Sequence, residues 1–217
     1  MSDASIESPD VVHVDSSERH GLRLLAKRGV QIVFRLLVLP RLISFWIGRS
    51  FLGRRVFSSA SESIARVPGL RGVYLRQAFY TATLVRCGKD VYFGWQSAFS
   101  MIEAEIGDRA YIGRFCSIGF AEIGEEVMLA DGVQVLSGGR EHGRSSDDSR
   151  SMHAQSQTYR RVRIGRGAWI GAGAIVMADV GEGAIVGAGA VVNKEIPAGA
   201  IAVGVPAKVV KNVGGNN

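Results

Sequence analysis

Along the middle and end of the chain, apolar residues recur at a step that neither regular element produces. Ile106, Ile112 and Ile118 stand six residues apart, and each is followed by glycine. A helix asks for 3.6 and a half-buried strand for two. After one step of five come Ile123, Leu129 and Val135. After a polar interval come Ile164, Ile170 and Val176, and after a step of four come Val180, Val186 and Val192. The twelve positions predict a mainly β solenoid. Each hexapeptide supplies a short strand and a corner, with the aliphatic residue pointing inward. The small residue after it, often glycine, permits the corner. Three sides close a triangular coil of about eighteen residues, and coils stack at about 4.8 Å. No coil buries its own ladder alone, so neighbours stabilise one another. The first coils are expected near 90–100, where the pattern is looser.

The early part of the chain follows a different pattern. The stretch "GVQIVFRLLVLPRLISFWIG", 29–48, has the length of a membrane span. Arg35 and Arg41 fall inside it, however, and Pro40 interrupts a helix at its centre. The spacing predicts two amphipathic helices, 22–38 and 41–57, and a third over 70–85. Arginines at 28, 35, 41, 49, 54 and 55 are interspersed with Leu, Ile, Phe and Trp46. Such a block suits a membrane interface, or else it packs on the repeat domain or another subunit. Both readings stand. Residues 1–20 read as a disordered tail, and 212–217 form a C-terminal tail beyond the repeats.

Charge sharpens this picture. The net charge of the 217 residues is +6. Beyond Arg19, residues up to Arg86 hold eleven arginines and one lysine against one acid, Glu62. An anionic lipid or substrate would suit the block. No helix-turn-helix, RRM or zinc-finger pattern accompanies it, which argues against nucleic acid. The two cysteines, Cys87 and Cys116, read as reduced thiols.

The repeat stops after Val135 and resumes at Ile164. The interval "LSGGREHGRSSDDSRSMHAQSQTYRRVR" is polar and has nothing to bury. A solenoid accepts such an insertion as a loop at a corner, and long loops are usually functional. It holds two of the four histidines, His142 and His153.

The run Trp169-Ile170-Gly171-Ala172-Gly173 and the close Gly204-Val205-Pro206-Ala207-Lys208, within 164–211, resemble the hexapeptide-repeat acyltransferases. The likeness spans about 88–211. It implies a left-handed parallel β-helix over 88–211, with a loop at 137–161, behind a helical segment at 21–87. The segment 70–88 resembles the helix that precedes the repeats in a branch linked to surface-polysaccharide acetylation. By this resemblance "SGGREHG" carries the catalytic base, His142, while His153 has no counterpart and is expected in solvent. The donor would be acetyl-CoA, laid between adjacent coils of a homotrimer. Trp169, Gly171, Ala172, Gly187 and Ala188 would form its wall, and Lys194, Lys208 and Lys211 would meet its phosphates. The acceptor would be a sugar hydroxyl of a surface polysaccharide or lipid-linked glycan precursor. An amine or small alcohol is the alternative. The chain is expected in the cytoplasm, where contact of 22–57 with the inner face of the plasma membrane would suit a lipid-carried acceptor. A carbonic-anhydrase-like zinc solenoid would need three histidines on facing coils. The wall from 88 to 135 and from 162 to 211 has none, so no metal is expected.

Overall fold

The computed structural model describes residues 20–139 and 157–212. Four helices come first: α1 (His20–Leu37), α2 (Leu39–Leu52), α3 (Arg55–Ala65) and α4 (Gly69–Thr83). Pro40 sits in the first turn of α2, where its missing N–H costs nothing. The helix expected over 41–57 is instead two. Gly53 ends α2 in the left-handed region, φ 69°, and donates its N–H to the Arg49 carbonyl, after which α3 starts afresh.

Strands of mostly two or three residues then wind a three-sided parallel solenoid. The first coil is β1 (Arg86–Cys87), β2 (Tyr92–Phe93) and β3 (Ala98–Phe99). The second is β4 (Glu105–Ile106), β5 (Tyr111–Ile112) and β6 (Ser117–Ile118), and the third β7 (Ala121–Ile123), β8 (Met128–Leu129) and β9 (Gln134–Val135). The fourth is β10 (Val162–Ile164), β11 (Trp169–Ile170) and β12 (Ile175–Val176). Val180, β13 (Ile185–Val186) and β14 (Val191–Val192) make the fifth. Ile196 and β15 (Ala200–Val203) open a sixth, and β16 (Lys208–Asn212) folds back antiparallel on β15. Side A stacks β1, β4, β7 and β10 and continues through Val180 and Ile196. Side B stacks β2, β5, β8, β11, β13 and β15. Side C stacks β3, β6, β9, β12 and β14.

All twelve aliphatic residues of the six-step pattern are at most 2% exposed. They form three internal ladders, such as Ile112, Leu129, Ile170 and Val186 on side B. The residue two before each also points inward and is buried, as Ala110, Ala168 and Ala184 illustrate. These small residues fill the triangle between the larger ones.

The coils are not eighteen residues long. Register pairs Cys87 with Ile106, Ile106 with Ile123 and Ile164 with Val180, which are steps of 19, 17 and 16. Two of the three corners keep a constant length, and at each the residue three after the inward aliphatic adopts the left-handed region. Asp90, Gln96, Arg109, Phe115 and Glu126 do so early, and glycines such as Gly132, Gly167 and Gly189 do so later. All length variation falls at the third corner, from side C to the next side A.

This relocates the role of the glycine directly after each aliphatic residue. It does not make the turn. A Cβ on Gly113 would stand 2.6 Å from the Ala130 carbonyl carbon of the next coil, and one on Gly171 2.7 Å from that of Gly187. Those glycines allow the coils to stack closely.

Helices α3 and α4 close the open end of the first coil through buried polar contacts. Arg76, 1% exposed, donates Nε to the Phe93 carbonyl at 3.0 Å and Nη1 to the Val67 carbonyl at 2.7 Å. The Tyr80 hydroxyl lies 2.8 Å from Ser61 Oγ, which accepts the Phe99 N–H at 2.8 Å.

Candidate active site

The polar interval is an insertion at the variable corner, not an interruption of the coil. Side C pairs Val135 with Val176 and side A pairs Ile123 with Ile164, so the wall runs in register past it. Its two stems meet. Arg160 donates its backbone N–H to the Ser137 carbonyl at 2.7 Å, and Ser137 Oγ accepts the Phe120 N–H at 3.0 Å. Residues 140–156, and with them His142 and His153, lie outside the described residues.

The second stem is held on side A by ions. Arg161 Nη1 is 2.6 Å from Glu105 Oε1, and its guanidinium stands 4.7 Å from the centre of the Phe120 ring. Arg160 Nη2 meets Asp179 Oδ2 at 2.8 Å, while Asp179 Oδ1 accepts the Arg163 N–H at 2.9 Å. Arg161 is 28% and Glu105 21% exposed, so this pair is screened less than an open surface pair. The six-step pattern carries no sign of these clamps. They follow from side A being the charged outer face, with Glu105, Glu122 and Arg163 in adjacent registers.

The residues expected to line the donor site fall into three places. Gly171, Ala172, Gly187 and Ala188 come together at the corner from side B to side C. Ala172 and Ala188 are exposed one coil apart, and Gly189 donates its N–H to the Ala172 carbonyl at 2.8 Å. Trp169 stands on the outer face of side B, 51% exposed, in register with Met128 below and Ile185 above. Lys208 and Lys211 lie on β16 opposite Val203 and Ile201, on that same side. Lys194 follows β14 at the third corner, the other edge of side C. The structure therefore brings Trp169 and the two β16 lysines to one side, next to the alanine corner, and leaves Lys194 a side away.

Neither thiol is set up as a nucleophile. Both cysteines are free. Desolvation pushes Cys87 and Cys116 each up to about 11, and Cys116 is 1% exposed. Among the described residues, no group of three or more His, Cys, Asp or Glu side chains is placed to hold a metal ion.

Residues 161–194 match the family model described as "Bacterial transferase hexapeptide (six repeats)". The match covers the fourth and fifth coils of the wall. A curated relative, the bifunctional protein GlmU of Rubrobacter xylanophilus, is 34% identical over 112 residues, 51% of this chain and 20% of that protein. The chain thus spans about a fifth of that relative's length. Solved structures share the hexapeptide-repeat fold. A maltose O-acetyltransferase from Clostridium difficile 630 superposes with a TM-score of 0.63 at 24% identity, over 75% of this chain and 87% of that one. A galactoside acetyltransferase in complex with coenzyme A gives 0.59 at 20% identity, over 74% and 80%. A hexapeptide-repeat containing acetyltransferase from Vibrio cholerae gives 0.59 at 15% identity, over 75% and 92%.

Proposed function

We propose that this protein transfers an acetyl group from acetyl-CoA to a sugar hydroxyl of a surface polysaccharide or lipid-linked glycan precursor, with His142 as general base. The observation that carries the reading is the clamped insertion, 136–161, at the variable corner of an otherwise continuous hexapeptide wall. A solenoid that needed only stability would gain nothing from a long polar loop with its own anchors. The likeness in fold to the maltose and galactoside acetyltransferases, one of them solved with coenzyme A, supports the reaction class.

The chemistry requires little of the protein. The thioester is already activated, and the acceptor hydroxyl needs only to lose its proton. Neutral imidazole accepts that proton near neutral pH. Attack on the thioester carbonyl forms the new C–O bond and an oxyanion, which a backbone N–H stabilises. Collapse breaks the C–S bond, and the imidazolium proton passes to the leaving thiolate. The raised thiol pKa values of Cys87 and Cys116 agree with a route that forms no covalent intermediate on the enzyme. Ala172 and Ala188 offer an exposed corner without bulky side chains, held one coil apart by the close stacking at Gly171 and Gly187, where an extended pantetheine arm lies against backbone. Trp169 would flank it, and Lys194, Lys208 and Lys211 are the cations assigned to the coenzyme phosphates.

The active species in this reading is a homotrimer. Side B supports it with an outward row of apolar residues: Tyr92 and Tyr111 stack at 4.7 Å, and Met128 and Trp169 are each 51% exposed. Sedimentation of a fully active monomer would contradict it.

The deciding experiment measures thiol release from acetyl-CoA with an acceptor glycan, beside direct coenzyme binding. His142→Ala is expected to reduce turnover by about two to four orders of magnitude and leave coenzyme affinity nearly unchanged. His153→Ala is expected to change little. Normal turnover in His142→Ala with loss in His153→Ala would move the base to His153. Normal turnover in both would remove acyl transfer from this loop.

A further inference from the structure

The helical segment carries a surface that nothing in the solenoid covers. Between Arg28 and Leu52 only Val38 and Phe45 are buried. Leu36, Leu37, Ile43, Ile47, Phe51 and Leu52 are each more than half exposed, and Phe51 reaches 83%. Exposed apolar side chains concentrated on two successive helices, with Ile43, Ile47 and Phe51 spaced by four along α2, mark an interaction site. From His20 to Ser61 the chain has eight Lys and Arg and no Asp or Glu. The described arginines at 28, 35, 41, 54 and 55 are all exposed.

Beside this face lies a groove of about 500 Å³, between α1 and α4 and against the first coil. Arg28 and Arg35 reach it from α1, and Lys89 from the first coil. Gln31 and Tyr74 add polar groups, and Asp90 is the one acid of its lining. Helix α1 thus carries part of the apolar surface, Leu36 and Leu37, and one wall of the cation-lined groove.

We propose that α1 and α2 form a seat on an anionic phospholipid bilayer, lying in the interface with their apolar faces in the acyl region and their arginines among the phosphates. This inference stands without the acyl-transfer reading. Charge complementarity selects the occupant. A second copy docked face to face would set the acid-free block against itself, whereas an anionic bilayer offers negative charge above an apolar interior. The groove has the size and sign for a phosphate headgroup. Neither helix is long and apolar enough to cross a membrane alone. The pair passes on length and composition only together, bent by 46°. Arg35 and Arg41 flank that bend, where a spanning pair would place them in hydrocarbon.

Flotation of the full chain with vesicles tests this. Phosphatidylglycerol-containing vesicles are expected to carry the protein up the gradient, and pure phosphatidylcholine vesicles at least about tenfold less. Binding should fall several-fold between about 0.05 and 0.5 M salt, as exposed charges are screened. Ile43→Ser with Phe51→Ser, and separately Arg28→Glu with Arg35→Glu, should each abolish flotation at unchanged oligomeric mass. Brominated anionic lipid should quench the fluorescence of the unmutated protein, and Trp46→Phe should remove most of that quenching, which needs no variant that endangers folding. Absence of flotation on any vesicle, or equal binding to both lipids, would overturn the proposal. So would variants that change the oligomeric mass while flotation persists, which would make the face a contact between copies.

Discussion

Arg160 and Ser137, twenty-three positions apart, are joined backbone to backbone at 2.7 Å. The bond closes the neck of the insertion and makes the loop a module on a finished wall. Excising 139–158 and bridging the gap with two glycines should therefore leave the solenoid intact. Far-UV circular dichroism is expected to be unchanged and the melting temperature to stay within a few degrees, since a shorter loop costs slightly less entropy to close. Thiol release should fall at least about a hundredfold with loss of the base. An unfolded product would show instead that the excised residues hold the coil together.

The two classes of glycine should answer differently to the same substitutions. A Cβ on Gly165 would stand 2.8 Å from Glu182 Cα in the next coil, while Gly167 has φ 66° and open space around it. At Gly167 the cost is conformational, about 1–2 kcal/mol for alanine and less for asparagine, which visits that region more readily. At Gly165 the cost is steric, so asparagine should be worse than alanine. Denaturant unfolding of the four variants checks this. The same order at both positions would refute the division of roles.

That division leaves no trace in the sequence, whereas burial does. The inward ladders were legible because each aliphatic must be buried, and burial leaves a period. Ile106 to Val192 all lie where the period puts them. A glycine required for a turn and one required for stacking leave the same letter, so Gly107 and Gly167 were not separable from sequence. The first coil sets half-buried Cys87, in register with Ile106, beside buried Phe93 and Phe99, and then takes a step of seven to Ile106, which blurs the pattern. Gly53 is a helix stop in the sequence, but the apolar spacing continues through it and masks the boundary. The side-A ion pairs were not readable. Arg161 and Glu105 are 56 positions apart and meet only because the insertion leaves the register intact. His142 rests on a motif alone.

The buried thiols predict how stability falls at high pH. Burial raises Cys116 from its ordinary 9.0 to about 11. Below pH 9 both folded and unfolded chains keep the proton, and stability does not depend on it. Between 9 and 11 the unfolded chain releases the proton first, so stability is lost as pH rises, on the order of 2–3 kcal/mol by pH 11. Cys116→Ala should flatten the slope of unfolding free energy against pH across this window, whatever it does to stability at pH 7. An unchanged slope would mean that the thiol is solvated.

Arg76 tests how the helices and solenoid are joined. Its guanidinium is buried, and it binds carbonyl oxygens on both sides of a junction: Phe93 on the first coil, and Val67 with Ala65 at 3.4 Å at the end of α3. Burial lowers its pKa, yet an arginine stays charged, so the three carbonyls serve as its counter-dipoles. Arg76→Met keeps much of the volume and removes every donor, leaving those carbonyls unsatisfied at a cost of about 2–4 kcal/mol. In a solenoid each coil contacts only its neighbours, so the damage should stay local. Hydrogen exchange is expected to accelerate at amides of 86–99 and in α3 and α4, while 164–203 keeps its protection. Arg76→Lys should recover part of the loss, since one ammonium reaches fewer of the carbonyls. Uniform acceleration along the whole wall would show that helices and coils unfold as one unit. Unchanged exchange at 86–99 would show that the first coil does not depend on its cap.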